Sequence, residues 1–226
     1  MPRRINFAFL LFLAACATSV AIPPNRYGLR VVPDRETYEK LARADVSKRM
    51  VDLATIPGVR LDIRYATEDN FMHRPLYPVP RAFLRAPAAD AIRRIQEELA
   101  REGLGLKIWD AYRPYSITEA MWEPIRNPDY VADPAKGSRH NRGAAVDVTL
   151  VDRNGYELIM PTGYDDFTPR AAHAFSDLAP QVLLNRQKLR DVMTKHGFDP
   201  LPSEWWHYDF RGWERFELMN VPLEEL

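Results

Sequence analysis

Between residues 59 and 65 the chain reads VRLDIRY. Val59, Leu61 and Ile63 alternate there with Arg60, Asp62 and Arg64, the period-2 pattern of a strand with one buried face. From 87 to 102 the period changes. Ala88, Ala91, Ile92, Ile95 and Leu99 recur at three- and four-residue spacing and Gly103 follows as a stop, which predicts a helix. LGLKIWD, 104 to 110, is the next predicted strand, and Ser116-Ile117-Thr118-Glu119 has the S-x-x-E form of a capping box that opens a second helix. AAVDVTLVD, 144 to 152, is strand-like, and Asp152-Arg153-Asn154-Gly155 predicts a turn into YELIM to make a hairpin. A third helix is predicted over 184 to 196 before Gly197, and WWHYDF, 205 to 210, reads as an aromatic-rich last strand. Helices and strands intermix without regular βαβ alternation. The expected class is therefore α+β, a single domain with a mainly antiparallel central sheet flanked by helices.

Composition narrows the function classes. Of 226 residues, 46% are hydrophobic and 27% charged, which excludes a disordered or collagen-like chain, and 19 prolines predict a loop-rich fold. Lys+Arg and Asp+Glu number 31 each, so no basic excess exists to draw a nucleic acid, and no nucleic-acid partner is expected. The single cysteine, Cys16, can form neither an internal disulfide nor a CxxC pair.

The position of Cys16 is informative. Arg3 and Arg4 precede an uncharged run from Ile5 to Ala15, the layout of a signal peptide. That run is too short for a membrane anchor, which needs about 20 residues. Leu13-Ala14-Ala15-Cys16 looks like a bacterial lipobox, in which the cysteine is lipidated and becomes the new N-terminus. The alternative is a simple secretory cut after Ser19-Val20-Ala21, with Cys16 discarded. The expected organisation is a signal peptide over 1–15, a tether over 16–26 and one folded domain over 27–226. Either cut exports the protein to the periplasm or cell envelope; membrane contact is expected only through a lipid on Cys16.

Two histidines lie in unusual company. His140 stands in Ser138-Arg139-His140-Asn141-Arg142-Gly143, followed by Asp147 between Val146 and Val148 on the predicted strand. A carboxylate in a buried strand is costly unless it is paired, hydrogen-bonded or bound to a metal, so Asp147 is either a satisfied buried acid or a ligand. Glu204-Trp205-Trp206-His207-Tyr208 forms the second cluster. In a straight strand, positions three apart face opposite sides, so Glu204 and His207 reach one site only if the chain bends at Ser203 or Glu204. Two histidines and an aspartate leave a fourth position open, as in a catalytic zinc, with Glu204 then acting as base rather than ligand. Its alternative is a surface acid. Arg113 in Trp109-Asp110-Ala111-Tyr112-Arg113-Pro114 ends a predicted strand; it either stabilises a developing oxyanion or pairs with Asp110.

These residues together resemble the zinc D-alanyl-D-alanine dipeptidases, a family related to zinc D,D-carboxypeptidases and some phage endolysins. The resemblance rests on S-x-H-x6-D (Ser138, His140, Asp147), E-x-x-H (Glu204, His207), Arg64-Tyr65-Ala66-Thr67-Glu68-Asp69-Asn70-Phe71 and Asp110-Ala111-Tyr112-Arg113-Pro114, and covers about residues 50 to 210. It implies one Zn²⁺ per chain on the sheet, held by His140, Asp147 and His207. It further implies Glu204 as base and proton donor, Arg113 as stabiliser of the tetrahedral transition state, and Ser138 near the scissile bond. Tyr65 and Asp166, in Thr162-Gly163-Tyr164-Asp165-Asp166-Phe167, would hold the free amino end, with Asp165 standing next to that position. The implied reaction is hydrolysis of D-Ala-D-Ala to D-alanine in cell-wall peptide turnover. The alternatives are a D,D-carboxypeptidase or endopeptidase on longer peptidoglycan stems, and a non-catalytic wall-binding lipoprotein. The family's resistance-associated members lack a signal peptide, so an exported chain points to wall turnover or recovery of D-alanine. His73, His173 and His196 are read as surface or hydrogen-bonded residues, Trp206, Tyr208 and Phe210 as core, and Trp205 as either pocket wall or packing.

Overall fold

Alternation and helical periodicity place most of the elements that carry the site. The computed structural model describes residues 20–128 and 130–226. The signal peptide and Cys16 lie outside the described residues. Of the tether expected over 16–26, residues 20–26 are described and are packed: Ile22 is buried and Pro24 pairs with Arg30 in an isolated antiparallel bridge. Folding therefore begins before residue 27.

In chain order the elements are β1 (Val31–Val32), α1 (Arg35–Ala44), β2 (Met50–Asp52), β3 (Arg60–Leu61), β4 (Phe83–Arg85), α2 (Ala86–Ala100), β5 (Leu104–Asp110), α3 (Tyr115–Ile125), β6 (Ala145–Asp152), α4 (Pro180–Lys195), β7 (Phe198–Pro200), β8 (His207–Phe210) and β9 (Leu218–Met219). The central sheet has the order β3-β5-β6-β8-β7. Its β5/β6, β6/β8 and β7/β8 pairs are antiparallel and the edge pair β3/β5 is parallel, so the α+β class holds with a mixed sheet. Two small sheets, β1/β9 and β2/β4, lie outside it.

One face of the sheet is covered by α2 and α4. The apolar stripe of α2, with Ala88, Ala91, Ile92, Ile95 and Leu99, is buried as its spacing predicts. Lys195–Glu98 and Lys188–Glu102 ion pairs join the two helices side by side. The opposite face carries the cavity described below.

Several boundaries differ from expectation for physical reasons. The alternation at 59–65 yields only Arg60–Leu61 as strand, because residues 64–66 wind into a 3-10 turn that buries Tyr65. Ser116 does not cap α3: that helix starts at Tyr115 after Pro114, the Ser116 N–H donates to Asn220 Oδ1, and Glu119 pairs with Arg26. The YELIM segment adds only the bridge Val151–Glu157. α4 begins at Pro180, whose fixed φ suits a first helical turn. β8 begins at His207, since Leu201 to His207 is taken up by turns, and β9 rather than β8 is the last strand.

The register of β5 against β6 is decisive. Lys107 pairs with Thr149 and Ile108 with Val148, but Asp110 pairs with Asp147. One extra residue is accommodated between Ile108 and Asp110, a β-bulge that moves Asp110 to the face that carries Asp147.

Candidate metal centre

Asp147 on β6 lies directly opposite His207 on β8, so the sheet register brings the carboxylate and one imidazole together. His140 comes from a 3-10 turn, residues 140–142, that ends at Gly143 with φ of 64°. A side chain at Gly143 would be strained by that φ and would meet Met50 Sδ at 2.9 Å. Asn141 clamps the turn: its side chain accepts from Ser138 N–H and donates to Arg113 O and Thr118 Oγ1.

The inward atoms of the three residues converge. His140 Nε2 is 3.2 Å from His207 Nδ1 and 3.5 Å from Asp147 Oδ1, and His207 Nδ1 is 3.0 Å from Asp147 Oδ1. Each ring is turned by a partner behind it. His140 Nδ1–H donates to the Ala111 carbonyl at 2.6 Å, and His207 Nε2–H donates to Asp209 Oδ1 at 3.0 Å. Tyr164 OH donates to Asp147 Oδ2 at 2.8 Å. This is the outer support typical of metal-ligating histidines and carboxylates.

The donor set fits zinc. Three acceptor atoms facing one another repel unless positive charge sits among them, and edges near 3.0 to 3.5 Å match a tetrahedron with bonds of about 2.0–2.2 Å. The pKa of His207 expresses the same demand. Burial works against a charged ring, yet Asp147 and Asp209, both hydrogen-bonded to it, raise its pKa well above the usual value. Among the described residues, His140, Asp147 and His207 are grouped as able to hold a metal ion.

A cavity of about 390 Å³ opens onto these ligands, at the small end of the range of about 300–1,000 Å³ for ligand pockets. Tyr65, Arg113, Ser138, Arg139, Asp165 and Glu204 line it with the three ligands. The bend needed at Glu204 is present: its N–H donates to Leu201 O, and the His207 N–H donates to Glu204 O at 3.3 Å. Burial pushes the Glu204 carboxyl up; His207 pulls against this and Asp147 adds to it. Such a carboxylate holds a proton more readily than an exposed one and is suited to take and return it. Ser138 Oγ accepts from the His140 N–H.

Arg113 satisfies both of its sequence readings. Its Nε and Nη2 donate to Asp110 Oδ2 at 3.0 and 2.6 Å, and its guanidinium lies 5.0 Å from the Tyr65 ring centre while lining the cavity. Burial alone would lower its pKa; Asp110 outweighs this and keeps the group charged. The bulge in β5 is what brings Asp110 into reach, and Tyr77 OH holds the other Asp110 oxygen at 2.7 Å.

The acid beside Tyr65 is Asp165, not Asp166. Tyr65 OH donates to the Asp165 carboxylate at 3.1 Å and Asp165 lines the cavity, whereas Asp166 Oδ1 accepts from the Thr168 N–H. The left-handed backbone of Asp165, φ 56°, turns its side chain inward, and a one-dimensional reading of Asp165-Asp166 carries no sign of it. Burial and then Asp147 raise the Asp165 pKa well above the carboxylate range.

Trp205 is packing: its ring meets Trp109 and Trp206 edge-on and its Nε1–H donates to Thr162. His196 bonds Glu98, as expected, but His173 differs, with both ring nitrogens buried and unpartnered among the described residues. Sequence reasoning missed Asp209 and Tyr164. Asp209 stands two residues after His207 on one strand, hence on the same face, and that spacing was the available signal.

Three comparisons bear on this arrangement. The family model Peptidase_M15, described as D-ala-D-ala dipeptidase, matches residues 46–217. The D-alanyl-D-alanine dipeptidase of Escherichia coli K12 is 36% identical over 161 residues, covering 71% of this chain and 83% of the relative. That of Enterococcus faecium is 33% identical over 180 residues, covering 69% and 88%. The solved LD-carboxypeptidase LdcB overlaps with a TM-score of 0.43 at 23% identity, covering 73% of this chain and 69% of that one.

Proposed function

Since the chain belongs to the Peptidase_M15 family of D-Ala-D-Ala dipeptidases, we propose that its cavity is built to hydrolyse the free dipeptide D-Ala-D-Ala to D-alanine. The protein is a zinc metallopeptidase. The observation that carries the dipeptide reading is a carboxylate, Asp165, that lines the cavity and accepts from Tyr65 OH, placed to meet a free ammonium.

Zn²⁺ held by His140, Asp147 and His207 would lower the pKa of water and polarise the scissile carbonyl. Glu204 accepts the proton of the attacking water and passes it to the departing amino group. Arg113, locked by Asp110, offers charge to the oxygen that becomes negative in the transition state. Ser138 contacts the substrate near the scissile bond. Asp165, steadied by Tyr65, receives the substrate ammonium, which supplies the counter-charge this buried acid lacks.

Three further rings, Phe71, Phe167 and Tyr130, line the cavity with that acid. Phe71 stands 6.2 Å from Tyr65, Phe167 5.5 Å from Phe71, and Tyr130 is stacked on Phe167 at 4.9 Å. A longer stem peptide would have to pass these rings as well as leave Asp165 without its ammonium, which favours the dipeptidase over the carboxypeptidase reading. Rates on free D-Ala-D-Ala and its N-acylated form test it: the free dipeptide is expected to be cut and the blocked one spared. Equal or better cleavage of the blocked peptide overturns both the dipeptide reading and the role of Asp165.

Arg3-Arg4, the apolar run to Ala15 and Leu13-Ala14-Ala15-Cys16 support export to the cell envelope with a lipid on Cys16. Ile22 is buried, so a lipid on Cys16 would sit within about 20 Å of the domain. A Cys16→Ser form is expected in the soluble rather than the membrane fraction; unchanged partition would favour simple secretion.

A further inference from the structure

A dipeptide zwitterion carries two charges, and the roles above give a partner only to the ammonium. Strand order tells where the other charge lies. Tyr65 follows β3, Arg113 follows β5, Asp147 is on β6 and His207 on β8, and these strands adjoin in the order β3-β5-β6-β8. A substrate with its amino end at Tyr65 and Asp165 and its scissile carbonyl at the metal ligands therefore points its carboxylate toward the β8 flank.

Arg139 stands on that flank. It precedes the ligand His140, lines the cavity, and its side chain is 46% exposed. Its guanidinium rests 4.8 Å from the ring centre of Trp213 and its Nε is 3.6 Å from Asp209 Oδ2, beyond hydrogen-bond distance. Its Nη groups donate no hydrogen bond to the described residues. The other cavity arginine, Arg113, is held by Asp110 through Nε and Nη2 and is assigned above to the oxygen of the scissile carbonyl, and Arg142, which also lies against Trp213, donates to Phe216 O and does not line the cavity. Trp213 thus orients a cation whose planar N–H fork is unspent, a geometry that matches a carboxylate.

We propose that Arg139 recognises the C-terminal carboxylate of the dipeptide, making the enzyme selective for D-dipeptides with a free acid at that end. This rests on the dipeptidase reading and adds the second half of zwitterion recognition. Asp165 and Arg139 then lie on opposite sides of the metal ligands and set both the orientation and the length of the substrate.

The test compares D-Ala-D-Ala with its C-terminal amide, using the wild type, Arg139→Ala and Arg139→Lys, each assayed for zinc. In Arg139→Ala the KM for the acid is expected to rise about 10- to 100-fold, the loss of one charge-assisted contact, with kcat nearly unchanged. The wild-type preference for acid over amide should collapse in that variant, and Arg139→Lys should recover part of it. Zinc content should be unaltered; it is measured because Arg139 approaches His207 through Asp209. An equal loss on acid and amide, a fall in zinc, or an unchanged acid-to-amide ratio overturns the proposal. If the wild type fails to cut the free dipeptide, the dipeptidase reading falls and takes this one with it; an active wild type with an unchanged ratio removes Arg139 alone.

Discussion

His207 and Tyr208 are neighbours on β8 that point to opposite faces of the sheet, and polar groups fare differently on the two sides. On the cavity face the charged groups that touch the ligands are tied into one network: His207 with Asp147 and Asp209, Asp110 with Arg113 and Tyr77, Asp147 with Tyr164. On the other face, under α4, the Tyr208 hydroxyl and both nitrogens of His173 are buried without partners among the described residues, with the two rings 6.1 Å apart. Buried charge is affordable on the first face because it is organised as a network around positive charge. The second face is made by apolar packing of Val146, Val148, Leu189 and Met193, where an occasional polar atom is simply stranded. Function sits on the face whose charges are networked, although the Thr149 hydroxyl, on the same face as Asp147, is also buried without a partner among the described residues.

That contrast can be broken at several points. The largest effect is expected for Glu204→Ala, which should lower kcat by about 10²- to 10⁴-fold while zinc stays bound, because the base touches the reacting water and is not a ligand. Metal analysis beside the kinetics checks this; loss of zinc would put Glu204 among the ligands. Next is Asp209→Ala, which removes the acceptor behind His207 and should weaken zinc binding about 10- to 100-fold in a chelator competition. Unchanged affinity would mean that ring orientation on this face does not depend on its network.

The smallest effect belongs to the helix face. Burial first, then Arg190 and Arg186, lower the His173 pKa from 6.5 to about 4. Between those values the unfolded chain binds a proton that the folded chain refuses. Stability is therefore complete above about pH 6.5 and declines as pH falls toward 4, by on the order of 1 kcal/mol after allowance for partial solvent access. Denaturant melts of the wild type and His173→Phe across this range measure it, and the variant should lose the slope. An unaltered slope would assign the acid sensitivity to other groups.

Much of this was legible in one dimension. α2, β5 and β6 fall within two residues of where periodicity puts them, because a helix stripe or an alternating strand records its own burial. His140, Asp147 and His207 stood out because imidazoles on a Gly-containing loop and in a tryptophan-rich strand, with a carboxylate between valines, demand an explanation. The capping box at Ser116 misled, since Pro114 and the Asn220 side chain supplied the helix start instead. Asp165 was passed over for its neighbour because the left-handed turn that selects it leaves no residue signature at a non-glycine position.

The sequence by itself determined the class of fold, the residue types that meet at the metal centre and the family they belong to, because local periodicity and motif spacing are properties of neighbouring positions. Tertiary structure alone decided which acid meets Tyr65, which face Asp110 takes after the bulge, what stands behind His207, and that Arg113 is held by Asp110 while the Nη groups of Arg139 donate to none of the described residues. The physical reason is that these depend on strand register and loop path, joining residues as far apart as 60 positions for His207 and Asp147 and 100 for Tyr65 and Asp165.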